Sequence, residues 1–486
     1  MKALRISVVI ILLTFAGQAG AATLTTLNNF TGTADGGQPF AGLVQGSDGN
    51  FYGTTAFGGF TNLNSGSGFG TVFQITPTGT LTTLFQFTGV DDGGSPAVEL
   101  IQGNNGRFYG TTTAGGLTNL NGGSGFGTVY QITSAGTLTT LHSFTGGVDG
   151  QSASELVQGS DGNFYGTASA GGNTNLSNGL GYGTVFQITP AGTLTTLYQF
   201  GGADGRSPVG GLVQGSDGFF YGTTGYGGVT NLNFGFGYGT VFRISSGGAF
   251  TNLHIFGNGD GQFPVATLVR GSDGNFYGTT FYGGNTNLNN GNGFGTVFQI
   301  TTAGTLTTLR RFAGGADDQR PVGLVQGSDG SFYGATRGSI ANGLGTLFQI
   351  TPTGTLTTLH QFSNSGGKIP ERLVQGSDGS FYGTTIMGGN TNANGINGTV
   401  FKLVVPLTPP ANQISGIQLA GNDTVINIPA VAHETYQLQV RDSLTDGNWS
   451  NIPNASVSNS LGSTLTLTNF GGALAPQRFY RFDITP

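Results

Sequence analysis

The sequence predicts an all-β protein, a seven-bladed β-propeller followed by a small β-sandwich. Three observations carry that prediction. First, F-Y-G recurs with its Tyr at Tyr52, Tyr109, Tyr165, Tyr221, Tyr277, Tyr333 and Tyr382, at spacings of 57, 56, 56, 56, 56 and 49 residues. Second, each unit holds four short stretches rich in Thr, Val, Phe and Tyr, bounded by Gly, Asn, Asp and Pro. No stretch shows a helical period of useful length. Third, the array opens on a lone copy of the fourth stretch and closes on a lone third.

In chain order, residues 1–21 read as a secretory leader. Lys2 and Arg5 form a basic start, residues 7–17 are apolar but too short to span a bilayer, and Ala19-Gly20-Ala21 is a cleavage pattern. Cleavage takes the formal charge from −6 to −8, because Lys2 and Arg5 leave. Residues 22–404 form the propeller. In the first unit the four strands are expected at 43–46, 50–55, 70–76 and 80–87. Tight turns join the first to the second (S-D-G) and the third to the fourth (T-P-T-G). The other two connections are long. Residues 23–30 repeat the fourth strand and 398–403 the third, so the N-terminal strand is expected to complete the seventh blade and remove the open edges.

The unit F-x-x-x-x-D-G-x-x-P…L-V-Q-G-S-D-G-x-F-Y-G-T-T…G-G…G-T-V-F-Q-I-T-x-x-G-T-L-T-T-L resembles the GloVer tandem repeat of secreted bacterial proteins over about residues 24–404. The resemblance implies an extracellular repeat protein, often with a C-terminal surface anchor. It implies no established activity and hands over no catalytic residues. No recognisable anchor is seen in this sequence. After the repeats, a Pro-rich linker at 405–411 leads to residues 412–486, where strands are expected at 414–419, 425–428, 435–441, 464–468 and 479–482. This segment is similar to fibronectin-like C-terminal modules. Trp449, the sole Trp, is expected in its core.

Composition narrows the function. With Lys+Arg at 16 and charged residues at 8%, no basic patch suits nucleic acid. The absence of Cys excludes disulfides, thiolate metal sites and a Cys nucleophile. No G-x-S-x-G, H-E-x-x-H or phosphate-cradling loop stands in a suitable context, so no catalytic residue and no cofactor is assigned. His142, His254 and His360 share one repeat position with Asn28, Phe85, Tyr198 and Arg310, which suggests an exposed site.

Connections in an antiparallel blade alternate between the two faces, so the long loops share one face, the candidate binding surface. Its loops before each first strand carry Asp35, Asp92, Asp149, Asp204, Asp260 and Asp317. A carboxylate ring of this kind holds a cation or accepts sugar hydroxyls. The simpler reading is turn chemistry, with each Asp bonding nearby N–H groups. The turns on the other face carry Asp48, Asp161, Asp217, Asp273, Asp329 and Asp378, which are read as turn residues alone. The T-N-L-N loops offer Asn and carbonyl ligands for Ca²⁺ but no carboxylate, so a tight calcium cage is not expected, and no metal ligand is assigned.

Residues that break the repeat are better functional candidates. Phe57, Tyr226, Phe281 and Tyr282 offer stacking faces to a sugar or peptide, or pack against a neighbouring blade. The sixth unit has a long loop six residues shorter than the first (13 residues from Tyr333 to Thr346, against 19 from Tyr52 to Thr71). Arg320 and Arg337, with Asp317 and Asp318, lie near this notch. They suit a carboxylated or sulfated polymer, or form a solvated charge cluster. Gln45, Gln102, Gln158, Gln214, Gln326 and Gln375, with Arg270 in the fifth unit, end the first strands and either line a channel or bond between blades. The first reading is therefore a secreted, monomeric, non-enzymatic propeller, without a membrane span once the leader is cleaved, that binds polysaccharide or a surface protein. A structural or adhesive surface protein is the second reading. A polysaccharide-active hydrolase or lyase is the third.

Overall fold

The computed structural model describes residues 22–405, apart from 230–232, 316–318, 339–343, 364–365 and 390–396, and beyond them six strands between 416 and 485. The expected leader, the linker and Trp449 lie outside the described residues. Two compact units divide the chain. One comprises residues 23–326 and 330–404, and the other contains residues 405–486.

The first unit is a seven-bladed propeller. Seven antiparallel sheets of four or five strands follow one another along the chain, each ordered as a meander. In blade 1 the strands run Val44–Gln45, Phe51–Thr55, Thr71–Ile75 and Leu81–Gln86. The first strand is shorter than expected because only two residues pair before the S-D-G turn. The long loops of five blades each contain a single 3-10 turn, such as Asn64–Gly66. No motif in the sequence announces it.

The closing strand behaves as predicted. Thr23–Asn29 pairs antiparallel with Thr399–Val404. It also reproduces the bulge of the other blades. Thr26 faces Phe401 and Asn28 faces Val400, just as Thr83 faces Phe73 and Phe85 faces Val72 within blade 1.

Alternation along a strand turns the F-Y dipeptide into an inter-blade clamp. The Phe faces the preceding blade and the Tyr the following one. Tyr52 stacks on Phe108 at 3.9 Å, Tyr109 on Phe164 at 4.0 Å, and Tyr165 on Phe220 at 4.0 Å. Tyr221–Phe276 and Tyr277–Phe332 continue at 4.0 Å, and Tyr333–Phe381 at 4.1 Å. Tyr382 on Phe51 at 4.0 Å returns to the first blade and closes the circle. A second circle lies outside it. Phe30, Phe87, Phe144, Phe200, Phe256, Phe312 and Phe362 each meet the third-strand ring of the next blade edge-on, at 5.2–5.6 Å.

The turn carboxylates do more than make turns. Asp48 accepts the Tyr52 hydroxyl at 2.8 Å, and Asp161, Asp217, Asp273 and Asp378 hold the equivalent tyrosines. Burial, with the Asp48 carboxylate beside it, pushes the Tyr52 hydroxyl up to about 12. Burial works against the Asp48 charge, but hydrogen bonds from Asn50 and Tyr52 outweigh it and hold that carboxyl below its ordinary value. The first-strand glutamines join blades on this same face. Ser47 N donates to Gln102 Oε1 at 2.8 Å, and Ser377 N to Gln45 Oε1 at 2.8 Å across the closure.

The second unit contains two three-stranded sheets. Asp423–Ala430 is central in one, between Gly416–Ala420 and Ser463–Asn469. In the other, Thr435–Arg441 lies between Ser450–Ser458 and Phe479–Thr485. The strand Ser450–Ser458 was not foreseen.

Two substitutions test this packing. A Cβ on Gly222, the Gly of an F-Y-G, would meet Phe242 Cζ at 2.6 Å and Leu212 Cδ2 at 2.7 Å. Gly222→Ala is expected to destabilise by about 1–3 kcal/mol through overpacking, measured by denaturant unfolding. Tyr130 stands where the other blades carry Phe, fully buried, and its hydroxyl has no hydrogen-bond partner among the described residues. Tyr130→Phe is expected to stabilise by about 1 kcal/mol and raise the thermal midpoint.

Candidate functional site

The long-loop face is built from two segments per blade. One is the loop leading into the first strand, with the pattern D-G-x-x-P. The other follows the second strand and ends in Gly-Gly. The two are zipped together by backbone bridges. Gly37 pairs with Phe57, Gly94 with Ala114, Arg206 with Tyr226 and Gln262 with Tyr282. In blades 3 and 7 the same pairing appears as Gln151 with Ala170 and Lys368 with Met387. Each of these six blades therefore brings one pair of residues side by side. Blade 2 brings together Gly and Ala, whereas blade 4 sets Arg206 beside Tyr226 and blade 5 sets the buried Gln262 beside Tyr282.

The second x adopts a left-handed backbone in every blade. Gln38, Ser95, Ser152, Ser207, Phe263, Arg320 and Ile369 have φ of 50–61°. The strain, roughly 1–2 kcal/mol per residue, has a structural cause. Each of these N–H groups donates to a carbonyl of the preceding blade, as Ser207 does to Tyr182 at 2.9 Å and Phe263 to Tyr238 at 3.0 Å.

The ring of loop carboxylates is turned inward on its own loops. Asp92 accepts from Thr88 N at 2.9 Å and Thr88 Oγ1 at 2.6 Å, and Asp35 accepts from Thr31 N at 2.9 Å. Asp204 accepts from Gly201 N at 2.8 Å and the Tyr198 hydroxyl at 2.6 Å. Asp149 and Asp260 lie 3.1 and 2.8 Å from the Nε2 atoms of His142 and His254. Burial opposes the Asp149 charge, but bonds from His142 and Thr145 hold its carboxyl below the ordinary value. The two histidines are thus half-buried partners of the ring rather than exposed side chains. Asp317 lies outside the described residues. In the T-N-L-N loops Asn64 Nδ2 donates to Gly68 O at 2.7 Å, stapling the loop.

Three of the four proposed aromatics come together. Tyr226 packs on Phe236 at 5.8 Å and on Phe263 at 4.7 Å. Phe263 meets Phe281 at 6.2 Å, and Phe281 meets Tyr282 at 5.1 Å. The result is a ladder of five rings along blades 4 and 5. The Arg206 guanidinium lies 4.3 Å from the Phe236 ring centre at one end, and Arg320 lies 5.5 Å from that of Phe281 at the other. Phe236 remains 47% exposed, and the other rings are half-buried. Phe57, in blade 1, is half-buried and stands apart from the ladder. Sequence reasoning missed Arg206, Phe236 and Phe263. The signal was available at the two x positions of D-G-x-x-P, where Arg206 and Phe263 replace smaller residues.

The arginines near the sixth blade are engaged within the protein. Arg337 Nη2 sits 2.6 Å from Glu371 Oε1, and Arg320 Nε donates to Gly338 O at 2.6 Å. The loops expected to form the notch, 316–318 and 339–343, lie outside the described residues.

A second cluster lies on the propeller axis, and its residues also break the repeat. The position before L-V-Q-G holds Gly42, Glu99, Glu155, Gly211, Thr267, Gly323 and Arg372. Arg372 Nη1 reaches Glu155 at 2.7 and 2.8 Å and Glu99 at 3.3 Å. Thr267 Oγ1 donates to Glu155 Oε2 at 2.6 Å and accepts from Gly211 N at 2.7 Å. Blades 2, 3, 5 and 7 are not all neighbours, so these bonds cross the axis. The glycines leave the room, because a Cβ on Gly323 would meet Arg372 Cγ at 2.5 Å. Burial pushes the Glu99 carboxyl up to about 7 against the pull of Arg372, and Glu371 to about 7 against Arg337.

Among the described residues no three or more His, Asp or Glu side chains stand together as metal ligands would. No helix among them is long and apolar enough to cross a membrane.

The family model of the Gloeobacter/Verrucomicrobia repeat matches residues 13–176, 116–317 and 286–413. The chain belongs to that repeat family. No curated protein matches this Gloeobacter/Verrucomicrobia repeat chain. Among solved structures it is similar to a fungal alcohol oxidase of the AA5 family in complex with copper, at 14% identity and a TM-score of 0.50, covering 95% of this chain and 96% of that one. That likeness shows the fold alone. Two bacterial neighbours have lower scores. One is the extracellular domain of a protein assigned as a hybrid two-component system from B. thetaiotaomicron, at 11% identity and a TM-score of 0.49 over 92% of this chain. The repeat chain spans 53% of that domain's length. The other is PorZ, a bacterial surface component of the type-IX secretion system of Porphyromonas gingivalis, at 13% identity and 0.47 over 90% of this chain and 56% of that one.

The axial cluster predicts a pH dependence. Glu99 and Glu371 have folded values above the ordinary 4.5, so folding favours their protonated forms. That contribution is complete below pH 4.5 and is lost as pH rises through about 7. The thermal midpoint is expected to fall from pH 5 to pH 8, and Glu99→Gln should flatten the fall. An unchanged slope would remove Glu99 as its source.

Proposed function

We propose that the protein is a secreted, non-enzymatic binding module whose long-loop face takes a surface glycan at blades 4 and 5. The single observation that carries this reading is the ladder Phe236–Tyr226–Phe263–Phe281–Tyr282. The exposed Phe236 ring, backed by the half-buried rings beside it, offers apolar surface to the apolar face of a sugar. The Arg206 side chain beside Tyr226 supplies hydrogen bonds to hydroxyls at the ring edges, while Gln262, buried beside Tyr282, donates to Asn258 and holds its own loop. The leader-like start at residues 1–21 supports export. The terminal unit is read as a small β-sandwich joined by the Pro-rich linker.

The reading is tested with residues 22–486 on a polysaccharide array scored for retained protein and for loss of glycan. Retention without loss is expected. Phe236→Ala is expected to weaken binding about tenfold, the worth of one aromatic contact, while leaving the thermal midpoint near that of the wild type. Loss of glycan would overturn the non-enzymatic reading, and a blank array would overturn the glycan.

A further inference from the structure

We infer that the blade-4 end of the ladder reads an anionic group, so that the ligand is an acidic saccharide, carboxylated or sulfated. The inference rests on the glycan reading above and deepens it at one residue, Arg206. Three rings surround its guanidinium, with centres at 4.3 Å for Phe236 and 5.4 Å for both Tyr182 and Tyr226. The backbone on either side is fixed, since Arg206 N donates to Tyr226 O at 2.9 Å and Tyr226 N to Arg206 O at 3.1 Å.

What distinguishes Arg206 is how it is held. Arg337 faces Glu371, Arg372 faces Glu99 and Glu155, and Arg311 Nε donates to Gly259 O. Each of those guanidinium groups spends donors on the protein. Among the described residues, no ion pair and no side-chain hydrogen bond is made by Arg206. The surrounding rings take none of its N–H groups in a conventional hydrogen bond, and Arg206 is half-buried rather than enclosed. The nearest loop carboxylate in sequence, Asp204, is already satisfied by Gly201 N and the Tyr198 hydroxyl. A guanidinium fixed by stacking, with its donors unspent, is preorganised for the two parallel N–H···O bonds that a carboxylate or sulfate accepts. The ring on which it stacks, Phe236, is also the most exposed of the ladder, so a sugar resting there brings an acidic substituent to the guanidinium edge.

The experiment compares polygalacturonate with its methyl ester, and dextran sulfate with dextran, by affinity electrophoresis at low and high salt. The wild type is expected to bind at least one acidic polymer about tenfold more tightly than its neutral counterpart, the worth of one charge-assisted pair. Which acidic polymer is preferred tells carboxylate from sulfate. Arg206→Gln should abolish the preference while keeping the thermal midpoint and any neutral binding. Arg206→Lys should keep salt-sensitive attraction and lose most of the preference, because an ammonium is not a fork. Arg320→Gln, at the other end, should leave the preference intact. Neutral binding without preference, or a preference that survives Arg206→Gln, overturns this inference and leaves the glycan reading standing. A wild type that binds none of the four polymers also overturns this inference, and only a blank polysaccharide array beside it overturns the glycan reading as well.

Discussion

The molecule depends on one contact made seven times, a tyrosine of one blade lying flat against a phenylalanine of the next. The two residues are neighbours in the chain and point to opposite sides of the same strand. Each blade is thereby bound to both its neighbours by a single dipeptide. At 3.9–4.1 Å the rings are in full van der Waals contact, and with the edge-on outer pairs they make most of the core aromatic. This explains how so weakly charged a chain holds a large fold without disulfides. Burial of aromatic surface, renewed at every blade boundary, replaces them.

The same contact constrains the residues around it. The glycine after each F-Y leaves room for the third-strand ring. The Asp of five S-D-G turns holds the tyrosine hydroxyl, whose tip is otherwise a polar atom at the edge of an apolar layer. Glutamine bonds tie the blades on the tight-turn face, and the strained D-G-x-x-P loops tie them on the other. Between these two belts the second and third strands are free to be uniform. Variation is pushed to the long-loop surface and to the axis.

The architecture was legible in the sequence because it repeats. Seven F-Y-G motifs and two complementary orphan strands specify a closed ring without any knowledge of contacts. The Ser450–Ser458 strand was not legible, since Pro453 and the flanking Asn residues read as a break. The axial cluster was hidden for another reason. Glu155 and Arg372 stand at the same repeat position, but only closure of the ring brings blades 3 and 7 face to face. The ladder was half legible. Tyr226, Phe281 and Tyr282 broke the repeat visibly. Their partners Arg206 and Phe263 lay in a different segment, and only the backbone bridges show that the two segments form one surface. His142 and His254 are half-buried although their repeat position varies, because each of them, like Tyr198 at that position, meets the carboxylate of its own blade's loop.

The pairing of Thr23 with Val404 also orders events in time. The first strand of the propeller is the last to find its partner. Until residue 404 is available, Thr23–Asn29 lacks the full length of its partner strand and the seventh blade is incomplete. Every earlier intermediate is an open arc with two unsatisfied aromatic ends. Loop closure of this span is a slow, long-range step. The exposed ends of such an arc invite pairing with a second arc. Faithful assembly therefore depends on how quickly the chain is delivered, and a pause before the final repeat is the moment at which two molecules are most exposed to becoming one tangled pair.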